Sequence, residues 1–155
     1  MALEIIKPNK PISENDIESF ENRFKLKIPK DFRDFLLKTN GGIPEEKILD
    51  FQDHYIDDYL KVMEFFSLEK IADFFESIEE EGLNNSNDLF LMYSKYYKYK
   101  MLIIGEFYDN LFLCISYSED NFGKIYYSDH EHEDDFSPIC DSFTEFIEGF
   151  EYSEN

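Results

Sequence analysis

The sequence predicts an α+β chain, in which amphipathic helices accompany an antiparallel sheet. Two observations predict it: four segments carry apolar residues at helical spacing behind capping residues, and three β-branched or aromatic runs between residues 100 and 130 are separated by turn residues. At 155 residues and 18.6 kDa, the chain suits one domain over residues 1–155.

Four helices are predicted, over residues 13–24, 28–39, 67–82 and 141–150. Ser13 with Asp16 forms a capping box for the first helix, and Pro29 suits the first turn of the second because a missing N–H costs nothing there. Ser67 caps the third helix, and Gly82 is its predicted stop. Asp141 or Ser142 caps the fourth.

Four strands are predicted, over residues 59–66, 100–107, 111–117 and 123–130. The last three form an antiparallel meander, because turn residues stand at Asp109-Asn110 and again from Asn121 to Gly123. The Tyr-Lys alternation at 93–100 receives no assignment.

A turn at Asn40-Gly41-Gly42 closes the second helix. The helix end needs a residue with positive φ, which Gly and Asn adopt at the lowest cost. One glycine would be enough, so the second indicates a close approach of other backbone or a sharp turn before Pro44. A β-branched residue at Gly41 or Gly42 should therefore destabilise the protein more than a surface change does.

The formal charge is −20, and residues 81–155 hold 16 acidic against 4 basic side chains. Such a field repels nucleic acid and anionic membranes and attracts basic proteins. No cofactor is predicted. The N-terminus lacks the pattern of a signal peptide, and Cys114 and Cys140 fit a reducing compartment, so we expect a cytoplasmic protein.

The densest polar cluster is Asp129-His130-Glu131-His132-Glu133-Asp134-Asp135. It could be a solvated strand end, a partner contact or a divalent-metal site. Two histidines at i,i+2 without a third ligand at the right spacing are not a zinc signature, so no metal site is predicted. A second acidic stretch at 53–58 is interpreted as a solvated loop rather than an acid–base pair.

Two further features have competing interpretations. Cys114 lies in a predicted strand and is interpreted as a core thiol rather than a nucleophile. A basic-aromatic patch could stack on bases, but in so acidic a chain it is expected to pack the sheet or anchor an interface. Its members are Tyr93, Lys95, Tyr96, Tyr97, Lys98, Tyr99 and Lys100.

A series of short motifs follows in one order along nearly the whole chain. They are Ile17-Glu18-Ser19-Phe20-Glu21 with Phe24, Ile28-Pro29-Lys30-Asp31-Phe32 with Phe35-Leu36, Asn40-Gly41-Gly42-Ile43-Pro44, Leu102-Ile103-Ile104-Gly105, Asn110-Leu111-Phe112-Leu113-Cys114-Ile115, Gly123-Lys124-Ile125-Tyr126-Tyr127 with Asp129-His130-Glu131, and Asp141-Ser142-Phe143-Thr144-Glu145-Phe146. In this order the chain resembles the SUKH superfamily, which includes fungal cell-wall-assembly regulators and bacterial immunity proteins.

The resemblance implies a curved, mostly antiparallel sheet with helices packed against it. It also implies binding rather than catalysis, since many bacterial members neutralise polymorphic or contact-dependent toxin domains, often nucleases or deaminases. The expected partner is a basic cognate toxin. The alternatives are a regulatory scaffold in cell-wall or stress signalling and, from the His-acid cluster alone, a metal-assisted enzyme.

The predicted contact surface is the acidic C-terminal half, with tyrosines nearby as anchors. Its members are Asp109, Glu119 and Asp120 in the turns, and Asp129, Glu131, Glu133, Asp134 and Asp135 after the last strand.

Overall fold

The computed structural model describes residues 3–45, 47–49, 61–84, 95–108, 111–129 and 136–152. The helices are α1 (Glu14–Phe24), α2 (Lys30–Thr39), α3 (Leu68–Asn84), α4 (residues 95–98) and α5 (Phe143–Glu148), with a 3-10 turn at Glu119–Asn121. The strands are β1 (Ile5–Lys7), β2 (Ile43–Pro44), β3 (Lys47–Leu49), β4 (Val62–Phe65), β5 (Met101–Phe107), β6 (Leu111–Ser116), β7 (Ile125–Asp129), β8 (Phe136–Cys140) and β9 (Phe150–Tyr152).

The central element is a five-stranded antiparallel sheet in the order β4-β5-β6-β7-β8. Its middle strands are the predicted meander, which is confirmed. β8 was not predicted, because it contains Pro138 and follows the acidic cluster. Pro138 is tolerated since β8 is an edge strand, where a missing N–H removes no ladder bond.

Helices cover both faces of this sheet. On one face the Phe65 ring lies 5.1 Å from that of Phe35 in α2 and 6.0 Å from that of Phe143 in α5. On the other face Phe66 stacks on Phe74 of α3 at 5.5 Å. Phe65 and Phe66 are consecutive and point to opposite faces of the sheet, so the core has two layers, one on each face. The predicted α+β class, with helices packed against an antiparallel sheet, is confirmed.

The helices begin at the predicted capping residues, except that Pro29 lies at the N-cap of α2 and not in its first turn. Ser13 and Asp16 form a complete capping box, and the Ser67 hydroxyl accepts the Lys70 N–H at 3.2 Å. Ser142, and not Asp141, caps α5 by accepting from the Glu145 N–H at 3.1 Å. The predicted stop at Gly82 is wrong because α3 runs on to Asn84. A glycine inside a helix costs only about 1 kcal/mol, which a packed helix tolerates.

Two short strand pairs lie outside the central sheet, β1 with β2 and β3 with β9, both antiparallel. Neither pair was predicted, since two or three residues are too few to show a period of two. No helix within the described ranges is long and apolar enough to cross a membrane.

Asn40 ties three segments together at the end of α2. Its backbone is left-handed, with φ 50°, and the residue is only 4% exposed. Its side-chain amide donates to the Lys10 carbonyl at 2.9 Å, and its side-chain oxygen accepts the Leu68 N–H at 2.9 Å. Asn40 thus closes α2 with its backbone, while its side chain holds the first N–H of α3 and the segment before α1, here named the N-terminal arm.

Gly41 and Gly42 both have positive φ, 77° and 119°. A Cβ on Gly41 would lie 2.5 Å from the Phe66 carbonyl oxygen, and one on Gly42 would lie 2.4 Å from that of Lys7. Gly42 also exchanges both backbone hydrogen bonds with Phe65, at 2.8 and 2.9 Å. The two glycines let the turn pass between β1 and β4.

Two buried or half-buried carboxylates join the helices. Glu21 of α1 accepts the Ile28 N–H at 2.8 Å and pairs with Arg33 of α2 at 3.0 Å. Asp31 of α2 accepts both the backbone N–H and the hydroxyl of Thr144, at 3.0 and 3.1 Å. Both carboxylates, like Asn40, belong to the motifs that carry the resemblance, so those motifs build the framework.

Candidate protein-binding surface

The connection between β6 and β7, residues 117–124, is held in one conformation by its own hydrogen bonds. The Ser116 hydroxyl donates to the Asn121 side-chain oxygen at 2.7 Å and accepts the Ser118 N–H at 3.1 Å. The Asn121 amide donates to the Tyr126 hydroxyl at 2.8 Å. Gly123, with φ 85°, donates its N–H to the Ser116 carbonyl at 2.9 Å and closes the turn.

This β6–β7 turn displays acidic and aromatic side chains to solvent. Glu119 and Asp120 are exposed in the 3-10 turn, and Phe122 is 47% exposed immediately after it. A carboxylate pair beside an exposed aromatic ring on a rigid support is typical of a protein-binding surface, because the ring can be desolvated while the charges orient the partner.

Beside the turn lies a groove of about 670 Å³, here named the aromatic groove. One wall comes from the end of α4 and the start of β5, the other from the β6–β7 turn, and β7 and β8 contribute rings. The lining residues are Lys98, Tyr99, Lys100, Met101, Ser118, Asp120, Asn121, Tyr126 and Phe136. Tyr99 is 40% exposed and its ring lies 5.9 Å from that of Phe136.

The structure divides the predicted acidic surface. Ile115 faces Ile125 and Leu111 faces Asp129 across β6 and β7, so Asp129 lies at the end of β7 away from the β6–β7 turn. From Ile125 to Asp129 the strand rises by four residue steps, so the two ends of β7 lie about 13 Å apart. Glu119 and Asp120 therefore share one end, whereas Asp129 lies at the other, where its carbonyl accepts from the Lys95 ammonium at 2.8 Å.

The remaining predicted contact residues, together with both histidines of the acidic cluster, lie outside the described residues. They are Asp109, Glu131, Glu133, Asp134, Asp135, His130 and His132. Residues 53–58 lie outside them too. Within the part of the chain that the structure describes, no three His, Cys, Asp or Glu side chains are grouped so that they could hold a metal ion.

Phe122, which is exposed, and Tyr126, which is half-buried in the groove, were not among the predicted contact residues. The signal for Phe122 was an aromatic residue within the turn predicted from Asn121 to Gly123. Tyr99 with Lys98 and Lys100 was noticed as a basic-aromatic patch. The groove that these residues share with the β6–β7 turn depends on a long-range approach, which spacing along the chain does not reveal.

A buried polar cluster lies between α4 and the sheet. The Tyr96 and Ser128 hydroxyls are 2.6 Å apart, and the Cys114 sulfur lies 3.7 Å from the Ser128 oxygen. Burial raises the pKa of Cys114 to about 12, partly opposed by the Ser128 hydrogen bond. The interpretation of Cys114 as a core thiol is confirmed, since its side chain is fully buried within β6.

Both cysteines are free thiols and should react slowly in the native protein. Burial raises the pKa of Cys140 to about 11, so its thiolate is scarce at pH 8. We expect a chromogenic disulfide reagent at pH 8 to modify Cys140 slowly and Cys114 only on unfolding. In Cys140→Ser, a native-state reaction as fast as that of the denatured chain would contradict the burial of Cys114.

The raised pKa of Cys114 predicts how the free energy of unfolding changes at alkaline pH. The folded pKa of Cys114 lies above its ordinary value of 9.0, so folding favours the neutral thiol. The resulting stabilisation is complete below pH 9.0 and is lost as the pH rises toward about 12. Cys114→Ala should flatten this part of a stability-against-pH curve, and an unchanged slope would contradict the assignment.

The family model of the SMI1 / KNR4 family (SUKH-1) matches residues 11–149, a range that includes the framework motifs, the central sheet and the β6–β7 turn. No curated protein matches the chain.

Proposed function

The chain belongs to the SMI1 / KNR4 family (SUKH-1), and from this premise we propose that it is an immunity protein. It binds a cognate polymorphic or contact-dependent toxin domain, a nuclease or deaminase, in the cytoplasm and neutralises it by stoichiometric occlusion rather than by catalysis. The observation that carries the proposal is the rigid β6–β7 turn, with two exposed carboxylates beside an exposed phenylalanine on a chain of charge −20.

The charge argues for a particular kind of partner. Toxins that act on nucleic acid need basic clefts for phosphate binding. An acidic protein surface competes for such a cleft by charge complementarity, and its field accelerates encounter with the toxin. The overall charge therefore speeds association with the toxin, whereas the side chains of the β6–β7 turn determine which partner binds.

The exposed side chains of the turn are predicted to affect different rate constants of binding. Glu119 and Asp120 are exposed, so each should affect mainly the association rate and its dependence on salt. Phe122 can bury a whole ring in the partner, and such aromatic anchors commonly contribute about 2 kcal/mol or more. Its removal should therefore act on the dissociation rate.

Reversing the two charges of the turn should weaken the complex. We expect the cognate toxin domain to be encoded next to this gene, and Glu119→Lys with Asp120→Lys to lower affinity for it by about tenfold or more, with a smaller salt dependence of the association rate. Surface plasmon resonance at low and high salt measures both. Phe122→Ala should instead raise the dissociation rate by roughly tenfold or more at unchanged association rate.

The matched control is Asp34→Lys with Asp73→Lys, which changes the net charge equally at exposed positions of α2 and α3. This control shows whether replacing any two exposed acidic residues by lysine weakens binding as much as the changes at the turn do. If the control weakens binding as much as the turn variant does, only the overall field matters, and the β6–β7 turn is not the contact surface.

A further inference from the structure

The aromatic groove has walls of opposite charge. Lys98 and Lys100 line it from the end of α4 and the start of β5, while Asp120 lines it from the β6–β7 turn. The Lys98 ammonium lies 5.2 Å from the centre of the Tyr99 ring, and the Lys100 backbone is held left-handed, with φ 58°. The Lys100 carbonyl accepts the Tyr117 N–H at 2.9 Å, which joins the α4–β5 connection to the β6–β7 turn.

The position of these lysines is unusual for this chain. Residues 81–155 contain 16 acidic side chains but only four basic ones, Lys95, Lys98, Lys100 and Lys124. Two of those four line this one groove beside the two exposed acids of the turn. If the groove served only to attract a basic partner, its two lysines would weaken binding, because like charges across an interface cost binding free energy.

Two further polar groups of the groove are donors. The Tyr126 hydroxyl accepts from Asn121, and among the described residues nothing accepts its own hydrogen. The Asn121 side-chain oxygen is engaged by Ser116, while its amide has a second hydrogen. The lysine wall and its neighbours therefore offer donors, and the turn offers the carboxylate of Asp120 as an acceptor.

We propose that the aromatic groove receives an extended segment of the toxin that carries both signs of charge. A carboxylate of that segment pairs with Lys98 and Lys100, a basic side chain pairs with Glu119 and Asp120, and apolar parts rest on Tyr99, Tyr126 and Phe136. This inference rests on the proposed function and adds a specificity device, because the two lysines reject partners that are only basic.

Single-stranded nucleic acid would use the same rings and lysines, but the groove does not favour it. Asp120 lines the groove, Glu119 lies beside it, and the net charge of −20 repels phosphates at long range. A peptide segment of mixed charge meets both walls favourably. Binding of a single-stranded oligonucleotide is therefore the competing outcome of the test.

The test compares Lys98→Glu with Lys100→Glu against Lys7→Glu with Lys27→Glu, a control at exposed positions elsewhere that adds the same negative charge. Two probes are used, the neighbouring toxin domain and poly-L-lysine. Both variants should bind poly-L-lysine more tightly than the wild type does. Only the groove variant should lose affinity for the toxin, by about tenfold or more, since it alone places like charges against the segment's carboxylate.

The neutral pair Lys98→Gln with Lys100→Gln, checked by thermal melting, shows whether any loss reflects misfolding. Groove-variant affinity for the toxin that equals or exceeds that of the control overturns this inference and leaves the proposed function standing. Absence of any wild-type complex overturns both. A single-stranded oligonucleotide that binds the wild type and not the groove variant overturns the peptide occupant in favour of nucleic acid.

Discussion

Gly42→Ala and Gly41→Ala should each destabilise the protein by about 3–5 kcal/mol, among the largest effects expected of single substitutions. The added Cβ would stand 2.4 Å from the Lys7 carbonyl oxygen at position 42, and 2.5 Å from that of Phe66 at position 41. Both contacts are with backbone, so no side-chain rotation relieves them. Valine at either position should be worse still.

Gly123→Ala is the matched control for these two substitutions. Gly123 also has positive φ, 85°, but its added Cβ would meet Pro29 no closer than 3.6 Å, which is ordinary contact. It should therefore lose only the left-handed backbone preference, about 1–2 kcal/mol. Chemical denaturation measures all three variants. Equal losses at the three glycines would show that backbone conformation alone, and not close approach, requires Gly41 and Gly42.

Asn40→Ala should destabilise by about 3–4 kcal/mol, because it leaves the buried Leu68 N–H and the Lys10 carbonyl without the partners that Asn40 supplies. It also forces alanine into the left-handed conformation. Asn40→Gly removes the second cost but not the first, so it should lie about 1 kcal/mol above Asn40→Ala in stability.

Asn40→Asp separates the two side-chain bonds. The aspartate keeps an oxygen for the Leu68 N–H but turns a second oxygen toward the Lys10 carbonyl, where the amide donated before. It should therefore remain well below the wild type in the free energy of unfolding. A melt of Asn40→Asp or Asn40→Ala indistinguishable from the wild type would contradict the role of Asn40 as the residue that joins α2, α3 and the arm.

Local chemistry made much of the fold predictable. Ser13, Ser67 and the left-handed backbone of Asn40 act through neighbours in sequence, so their residue types indicate helix starts and ends directly. The meander was predictable because its strands are long enough to show β-branched and aromatic runs. What spacing could not reveal was the identity of the backbone beside Gly41 and Gly42, which comes from β1 and β4.

The division of the acidic surface follows from the predicted strand over residues 123–130, whose consequence for this surface was not drawn. Glu119, Asp120 and Asp129 are close in sequence, which suggested one continuous patch. The extended conformation of β7 separates its ends by about 13 Å, so the residues at its two ends belong to different regions of the surface. The resemblance motifs also did not locate the site, because Glu21, Asp31 and Asn40 use their polar groups to join helices.

The most direct test of inhibitory binding is a titration of toxin activity. The toxin domain encoded next to this gene, held at a fixed concentration well above its Kd for this protein, is assayed while the protein is added. Toxin activity should fall linearly to zero at one equivalent, and Glu119→Lys with Asp120→Lys should need a clear excess. Full activity with an excess of well-folded wild-type protein would contradict the proposal that this chain neutralises that toxin.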